Sequence, residues 1–273
     1  MSTEAKRLSG TAIPRRTGAG TLLLRRAAVP AVQLAVAAIV VALWQLGSDA
    51  HLINGQLFGT PAGIVASAQR TIADGSLFAD TTVTVYETVT GFVLGTLVGS
   101  VAGLLLWYSR FLARVIEPAA VAFNGVPKIA LGPLIIIWLG SGTESKIVLA
   151  FVSTLVVAFL AAYGATRNVD RDLVTLLRSI GATRWQIFTK LLVPSAMPFM
   201  FSAMRINVGF ALVGAVVGEF ISSQHGIGHA VFVAGNLFDL NTVWLGILVL
   251  SIVAAIMYAI LAQAERLLVK GRS

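Results

Sequence analysis

Few side chains in this sequence have the types and spacing that chemistry requires. The 273 residues include no cysteine, which excludes disulfides, thiolate nucleophiles and cysteine-ligated metals. His225 and His229 have the spacing of two metal ligands on one helical turn, but Gly226 and Gly228 disfavour the helix that would align them. None of the five lysines follows a glycine, so a loop ending in Gly-Lys-Ser/Thr is absent. We expect no catalytic residue, no metal and no nucleotide on this chain.

Charged residues inside or beside apolar segments are the remaining candidates. Ionised groups are costly in lipid and usually face the protein interior or water. They indicate either local ion pairs and contact with the membrane interface, or a role along a transport pathway. Five residues qualify, namely Glu87, Glu117, Lys128, Arg205 and Glu219. We take Lys128, Arg205 and Glu219 as the pathway candidates.

The elements that must position these residues are membrane helices. The sequence is 57% hydrophobic and 12% charged, with a mean hydropathy of +0.87. This composition excludes a disordered chain, a nucleic-acid-binding arm and an ordinary soluble enzyme. Segments long enough to cross a bilayer predict an all-α polytopic protein with six transmembrane helices, at about 28–46, 85–108, 115–139, 147–164, 200–222 and 243–262. Prolines 118, 127 and 133 predict an irregular start to the third span.

The distribution of basic residues orients these spans. Most of the 20 Lys and Arg residues lie in the N-terminal tail, the 109–114 connection, the 165–193 loop and the C-terminal tail. By the positive-inside rule these segments and both termini are cytoplasmic, so the net charge of +8 reflects sidedness and not a nucleic-acid partner. Residues 1–26 have no apolar face and predict a flexible tail ahead of a membrane domain at 27–273.

Two patterns predict helix packing and a surface helix. Glycines recur every four residues and indicate close helix approach, within the chain or between subunits, at Gly91, Gly95, Gly99 and Gly103. Residues 61–74 predict an amphipathic helix on the outer surface, with Thr60 as N-cap and Pro61 at the first position. Its predicted apolar face is Ile64, Val65, Ala68 and Ile72.

The cytoplasmic loop 165–193 carries an amphipathic helical pattern. Asp172 is the candidate N-cap, and the apolar stripe follows at Leu173, Leu176, Leu177 and Ile180. A short helix with an exposed apolar stripe suits insertion into a groove of another protein. Lying on the lipid surface is the alternative.

The same loop contains a predicted stop and a second start. Gly181 can end the first helix in a left-handed conformation. Thr183 can begin a second short helix from Arg184 to Leu192, and Pro194 is expected to end it.

This run, TLLRSIGATRWQIFTKLLVPSAMP at 175–198, resembles the cytoplasmic hallmark of the permease subunits of bacterial ABC importers. That hallmark is Glu-Ala-Ala, three residues, Gly, about nine residues, then an apolar residue before Leu-Pro. Gly181, Ala182, Pro194 and Pro198 match, whereas residues 175–177 replace Glu-Ala-Ala.

Two further stretches are similar to the nitrate, sulfonate and taurine branch of these permeases. The first runs from Val126-Pro127 to Ile147, and the second is Gly218-Glu219-Phe220 followed by Gly226-Ile227-Gly228. The similarity covers about residues 55–268. One departure is Glu87, where the resemblance leads us to expect an arginine before Gly91-Phe92.

The resemblance implies a type I importer permease bundle in the bacterial plasma membrane, with a cytoplasmic coupling helix. Its implied partners are two cytosolic ATP-binding cassette subunits, which hold ATP and Mg, a second permease copy, and an extracytoplasmic binding protein that delivers a small anionic solute such as a sulfonate, taurine or nitrate. The residues implied to contact the ATPase are Asp172, Leu173, Leu176, Leu177, Arg178, Ile180, Gly181, Ala182, Thr183, Arg184 and Pro194.

Two other functions are alternatives. A self-sufficient carrier or channel usually has internal repeats, and none relates residues 27–140 to 141–265. A non-transporting scaffold would use the loop only to recruit a partner. Nucleotide-dependent uptake separates the importer from both.

Overall fold

The computed structural model describes the backbone of residues 19–269 and the side chains of residues 31–267. Residues 1–18 of the predicted tail and the C-terminal residues 270–273 lie outside the described residues. The described part of the chain is helical and contains no strand. It divides into two units at residues 54 and 55.

The first unit is built on one long helix, α1 (Ala19–Asp49). The helix contains the predicted span 28–46 and extends beyond it at both ends, so residues 19–26 of the predicted tail are helical. Most of the apolar side chains that the structure describes in this helix, including Leu34 and Leu43, are exposed. Side chains of this kind suit a lipid environment.

The second unit contains the remaining helices. In chain order they are α2 (Gly55–Phe58), α3 (Pro61–Ala73), α4 (Ser76–Leu105), α5 (Arg110–Gly125), α6 (Gly132–Leu139), α7 (Thr143–Arg167), α8 (Arg171–Ser179), α9 (Arg184–Ile187), α10 (Val193–Ile221), α11 (Ile227–Asn236) and α12 (Leu240–Val269). Among the described residues five helices are long and apolar enough to cross a membrane, and six result if α5 and α6 count as one broken span. The polytopic all-α prediction is therefore confirmed.

Helix α7 lies at the centre of this unit and packs against both α4 and α10, which also contact each other. The four glycines of α4 face α7 so closely that a Cβ at Gly95 would lie 2.5 Å from the carbonyl oxygen of Phe151. Helix α10 also approaches α7 closely, since a Cβ at Gly214 would lie 2.8 Å from Ala150 Cα. The glycine surface of α4 is thus used within the chain, where small residues allow backbones to approach.

The third predicted span is broken in its middle and not at its start. Helices α5 and α6 are bent by 87° at the break between them. Val126 is extended, with φ −69° and ψ 130°, as is typical of a residue before proline. Pro127 therefore ends α5, whereas Pro118 is accommodated inside α5 and Pro133 lies in the first turn of α6.

The prediction that Pro194 ends a helix is wrong. The chain stays helical from Arg184 to Ile221, through a π-helical turn at Phe188–Leu192. Proline lacks an N–H group, and it is tolerated near the start of a helical segment. Here Pro194 lies in the first turn of α10, directly after the π-helical turn.

Helix α3 has the predicted start and a different inner face. Thr60 Oγ1 accepts a hydrogen bond from Gly63 N at 2.9 Å, and Pro61 occupies the first turn. Ile64 and Ser67 are buried, but Val65 and Ile72 are at least half exposed, so the predicted apolar face is wrong for these two residues. Hydrogen bonds to α12 determine the orientation, because Thr60 N donates to Asn241 Oδ1 at 2.8 Å.

Candidate functional site

The first candidate site is formed by α8 and α9 at one end of the bundle, which we call the loop end. Asp170 caps α8, since its side chain accepts a hydrogen bond from Asp172 N at 2.8 Å. The prediction of Asp172 as the cap is therefore wrong by two residues. Asp172 lies in the first turn, where its carboxylate interacts favourably with the helix dipole.

The connection between α8 and α9 has the predicted geometry. Gly181 has φ +84°, in the left-handed region that favours glycine, and Ala182 N donates to Leu177 O at 2.9 Å. Thr183 begins α9 with a capping box, in which Gln186 N donates to Thr183 Oγ1 and Thr183 N donates to Gln186 Oε1. Both helix ends are fixed by local hydrogen bonds.

The apolar side chains of the loop end point away from the rest of the chain. The exposed fraction is 57% for Leu176, 72% for Ile180 and 64% for Trp185. Leu173 is also exposed, while Leu177 is half-buried. Sequence reasoning missed Trp185, although its position in the first turn of α9 follows from the predicted start at Thr183.

An aromatic group joins the loop end to the bundle. The ring of Trp185 stacks on Phe188, with centroids 5.8 Å apart. Phe188 in turn packs against Tyr108 and Trp107, which follow α4, with centroids 5.1 and 6.1 Å away. The α9 segment is thereby anchored, and α8 has no buried residue.

The second candidate site is a group of three buried ionisable side chains at the opposite end of α7 and α10. Glu87 of α4 and Lys146 of α7 are each 1% exposed, and Glu219 of α10 is 0% exposed. We call these three residues the buried charge cluster. Lys146 interacts electrostatically with both carboxyl groups. The acidic residue where an arginine was expected thus has a cationic neighbour on α7.

Backbone and hydroxyl donors surround Glu219. Thr84 Oγ1 donates to Glu219 Oε1 at 2.7 Å, and Gly228 N donates to Glu219 Oε2 at 2.5 Å. Ile227 N donates to Thr84 Oγ1 at 2.9 Å. These bonds fix the turn between α10 and α11 against α4.

Lys146 makes the corresponding connection on α7. Its Nζ donates to the carbonyl oxygen of Gly142 at 3.0 Å and to that of Ser141. Those carbonyls belong to the turn that links α6 to α7. The cluster therefore holds two turns, α6–α7 and α10–α11, at the same end of the bundle.

The three pathway candidates are not brought together. Lys128 is half-buried at the break between α5 and α6, and its Nζ donates to the carbonyl oxygen of Asn124 at 2.9 Å. Arg205 forms an ion pair with Glu265 and lies 5.6 Å from the ring centroid of Tyr258. Only Glu219 belongs to a buried polar group, and no sequence pattern indicated that Lys146 would join it.

A cavity of about 340 Å³ lies between the α5–α6 segment and α7 and is lined by apolar side chains, including Phe123, Leu134 and Val152.

Within the described residues, no three His, Cys, Asp or Glu side chains form a group that could hold a metal ion.

Comparison with known proteins decides the family. Residues 95–270, more than half of the chain, match the family of the binding-protein-dependent transport system inner membrane component. The chain belongs to this family. It is an ABC importer permease, a multi-pass inner membrane protein, and its family implies ATPase subunits and a binding protein as partners.

Several named permeases are similar to this permease. It is 28% identical to the putative aliphatic sulfonates transport permease SsuC of Bacillus subtilis, over 88% of this chain and 87% of the relative. It is 29% identical to the riboflavin transport system permease RibX of Chloroflexus aurantiacus, over 90% and 92%. It is 30% identical to a probable ABC transporter permease of Brucella melitensis, over 76% and 84%.

Solved structures show the same fold. The permease matches a chain of the MetNI methionine ABC transporter with a TM-score of 0.57 and 20% identity, covering 71% of this chain and 94% of that one. A second crystal form gives a TM-score of 0.53 at 22% identity, covering 66% and 93%. The type I importer permease fold expected from the sequence is confirmed.

Proposed function

We propose that this permease receives its ATPase partner on α8 and α9 and hydrolyses no ATP itself. The observation that carries the proposal is the exposure of Leu176, Ile180 and Trp185 on helices with fixed ends. Burying such side chains in a groove of a partner would stabilise the complex by about 1.5–3 kcal/mol for each fully buried side chain. ATP and Mg would bind to the partner and not to this chain.

The charges of the loop end are mixed. Asp170 and Asp172 lie at the start of α8, and Arg171, Arg178 and Arg184 lie beside the same apolar side chains. The cytoplasmic leaflet carries a negative surface potential, which repels carboxylates and attracts Lys and Arg. Docking on a protein and lying on lipid are therefore separated by co-purification and not by charge.

Co-purification with the ATPase encoded beside the permease tests the proposal. Only the permease is tagged, and wild type is compared with Ile180→Asp and Gly181→Asp. Ile72→Asp is the matched control, because Ile72 is an exposed isoleucine on α3. We expect both loop variants to recover at least about tenfold less ATPase than wild type. The reason is that burying a charge in a docking groove costs well over 1.4 kcal/mol.

Two outcomes would contradict the docking site. Full recovery of the ATPase with Ile180→Asp would show that α8 does not enter the interface. Failure of wild type to recover any ATPase, with the purified permease folded, would favour a carrier or a scaffold whose α8 lies on lipid.

The proposed solute is a small organic or inorganic anion of the sulfonate, taurine or nitrate kind. The similarity to the aliphatic sulfonates permease over most of the chain supports it. Other relatives carry the names of riboflavin and formylaminopyrimidine permeases, so the solute class needs its own test. The test is ATPase stimulation in proteoliposomes containing the permease, its ATPase and its binding protein. We expect stimulation by alkanesulfonates, and stimulation by riboflavin alone would overturn the assignment.

The proposed assembly contains two copies of this permease around a shared pathway, with both termini in the cytoplasm. This orientation is supported by the excess of basic residues in the two termini and in the loops on the same side of the membrane. Cysteines introduced singly into this cysteine-free chain test it. A residue in the 165–193 loop should react only after the membrane is permeabilised, and a residue at 223–225 should react in intact cells.

A further inference from the structure

The buried charge cluster contains one acid more than its base can balance. Glu219 and Glu87 are both buried, and Lys146 is the cation that faces them. The other acids nearby are Asp80 on α4, which is half-buried, and Glu144 on α7, which is exposed. Two ionised carboxylates with one ammonium would leave a net negative charge in the protein interior, which is strongly unfavourable.

The contacts between the two acids show how the excess charge is removed. The side chains of Glu87 and Glu219 interact directly with each other. An ionised carboxylate can only accept hydrogen bonds, so two carboxyl groups can bond to each other only when one of them carries a proton. Two ionised carboxylates at this position would instead repel each other.

The donors around each acid determine which one carries the proton. Both oxygens of Glu219 accept a hydrogen bond, from Thr84 Oγ1 and from Gly228 N, which is the environment of an ionised carboxylate. Glu87 differs, because no donor in the described part of the chain reaches its buried Oε2 atom. Thr143 interacts with the carboxyl group of Glu87 but leaves this atom unsatisfied, so an ionised Glu87 would bury one charged oxygen without a donor.

We propose that Glu87 is a proton-binding site, a neutral carboxylic acid whose O–H group donates to the ionised Glu219. The cluster is then neutral, with Glu219 balanced by Lys146. Removal of this proton would place two carboxylates in contact and would push Glu219 away from α4. Since Glu219 also holds Gly228 at the first turn of α11, the proton keeps the α10–α11 turn in place.

Infrared spectroscopy of the purified permease in nanodiscs at neutral pH tests the proposal. We expect a carbonyl-stretching band of a buried protonated carboxylic acid, which Glu87→Gln abolishes. Aspartate keeps the balance of two acids and one base, so Glu87→Asp should shift the frequency of the band and Glu219→Asp should leave it unchanged. Glu117→Gln is the matched control, because Glu117 forms an ion pair with Arg167 at 2.7 Å, outside the buried charge cluster. The band of this variant should equal that of wild type.

Several results would overturn the assignment. Wild type without the band would have no protonated acid here. A band that persists in Glu87→Gln would belong to another group, and a band that shifts in Glu219→Asp but not in Glu87→Asp would place the proton on Glu219. If Glu87→Gln fails to fold, wild type and the two aspartate variants still decide the question.

Amide hydrogen exchange measures the consequence for α11 independently of transport. Glutamine at 87 can still donate an N–H to Glu219, so exchange at 227–229 should stay within about twofold of wild type. Glu87→Ala removes that donor and should accelerate exchange there by about tenfold, as the loss of one hydrogen bond to a charged group requires. Equal exchange in the Gln and Ala variants would contradict the role of the proton in holding the turn.

Discussion

The side chains at the two ends of α7 and α10 differ in burial and in where their partners come from. At the buried charge cluster, ionisable groups are fully enclosed and their partners come from α4, α7, α10 and the turn before α11. At the loop end, apolar side chains of α8 and α9 are exposed, and the hydrogen bonds that shape them are local. At the buried charge cluster, this chain itself supplies the contacts of the side chains. At the loop end, the exposed apolar surface is available to a second protein.

This difference separates the residues that stabilise the permease from those that serve its partner. Substitutions near the buried charge cluster and the glycines of α4 should alter the free energy of unfolding of the isolated permease. Substitutions on the exposed side of the loop end should alter binding and leave that free energy nearly unchanged. The following variants test the contrast, and all are measured by unfolding of the purified permease in detergent.

Gly95→Leu should have the largest effect. Its Cβ would meet Thr154 Oγ1 and the carbonyl oxygen of Phe151, so α4 and α7 would have to separate. We expect a loss of about 3 kcal/mol, at the upper end of the cost of overpacking. Gly209→Leu on α10 is the matched control, since a Cβ there has no atom within 4 Å. Equal melting of the two variants would remove the packing explanation.

Gly226→Ala should have the next largest effect. Gly226 has φ +105° and ψ 154°, and a Cβ there would displace the carboxylate of Glu219. Gly140 has a comparable backbone conformation, φ +79° and ψ −179°, with no atom within 4 Å of its Cβ position. Backbone strain is therefore common to both alanine variants.

The difference between these two alanine variants isolates the contact with Glu219. We expect Gly226→Ala to be less stable than Gly140→Ala by about 2 kcal/mol, because hydrogen bonds to a charged group are lost. If Gly140→Ala is destabilised as much, the effect comes from backbone strain and not from the cluster.

Arg167→Gln should have a small effect. Its NH1 atom lies 2.7 Å from Glu117 Oε1, but the Arg167 side chain is 62% exposed. An exposed ion pair contributes roughly 0.5 kcal/mol and is weakened by salt. The measurement is a double-mutant cycle with Glu117→Gln at low and high salt. A coupling energy above about 2 kcal/mol between Arg167 and Glu117 would mean that this ion pair is buried and not exposed.

Ile180→Asp should have the smallest effect on stability. Ile180 is 72% exposed, so the free energy of unfolding should stay within about 0.5 kcal/mol of wild type. The same variant is expected to lose the ATPase in co-purification. A large loss of stability would show that the side chain packs within the permease, and the contrast between the two ends would fail.

Local sequence patterns predicted the local features of this fold. The hydropathy of the spans, the glycine spacing on α4, the left-handed Gly181 and the capping residue Thr183 each depend on neighbouring residues in one helix or turn. The prolines also indicated a disturbed third span. They could not give the 87° bend, because that angle depends on how α5 and α6 pack.

The features that the sequence did not reveal depend on distant residues. Glu87, Lys146 and Glu219 come from three helices, and no local pattern places them in contact. The Asp172 cap and the Pro194 stop were wrong for a different reason, since Asp170 offers an equivalent carboxylate and a π-helical turn accommodates the proline. The prediction of the buried face of α3 was wrong for Val65 and Ile72, because the face of α12 that α3 contacts is polar.

The uninterrupted helical path from Arg184 to Ile221 has a thermodynamic consequence. It contains 38 residues, and at 1.5 Å per residue it extends roughly 57 Å. It begins beside the exposed Trp185 and ends just beyond Glu219, so both candidate sites lie on one continuous helical path. To the extent that the two ends of this path move together, a ligand, proton or subunit that favours one position alters the affinity at the far end, and by reciprocity the far end alters the near one equally.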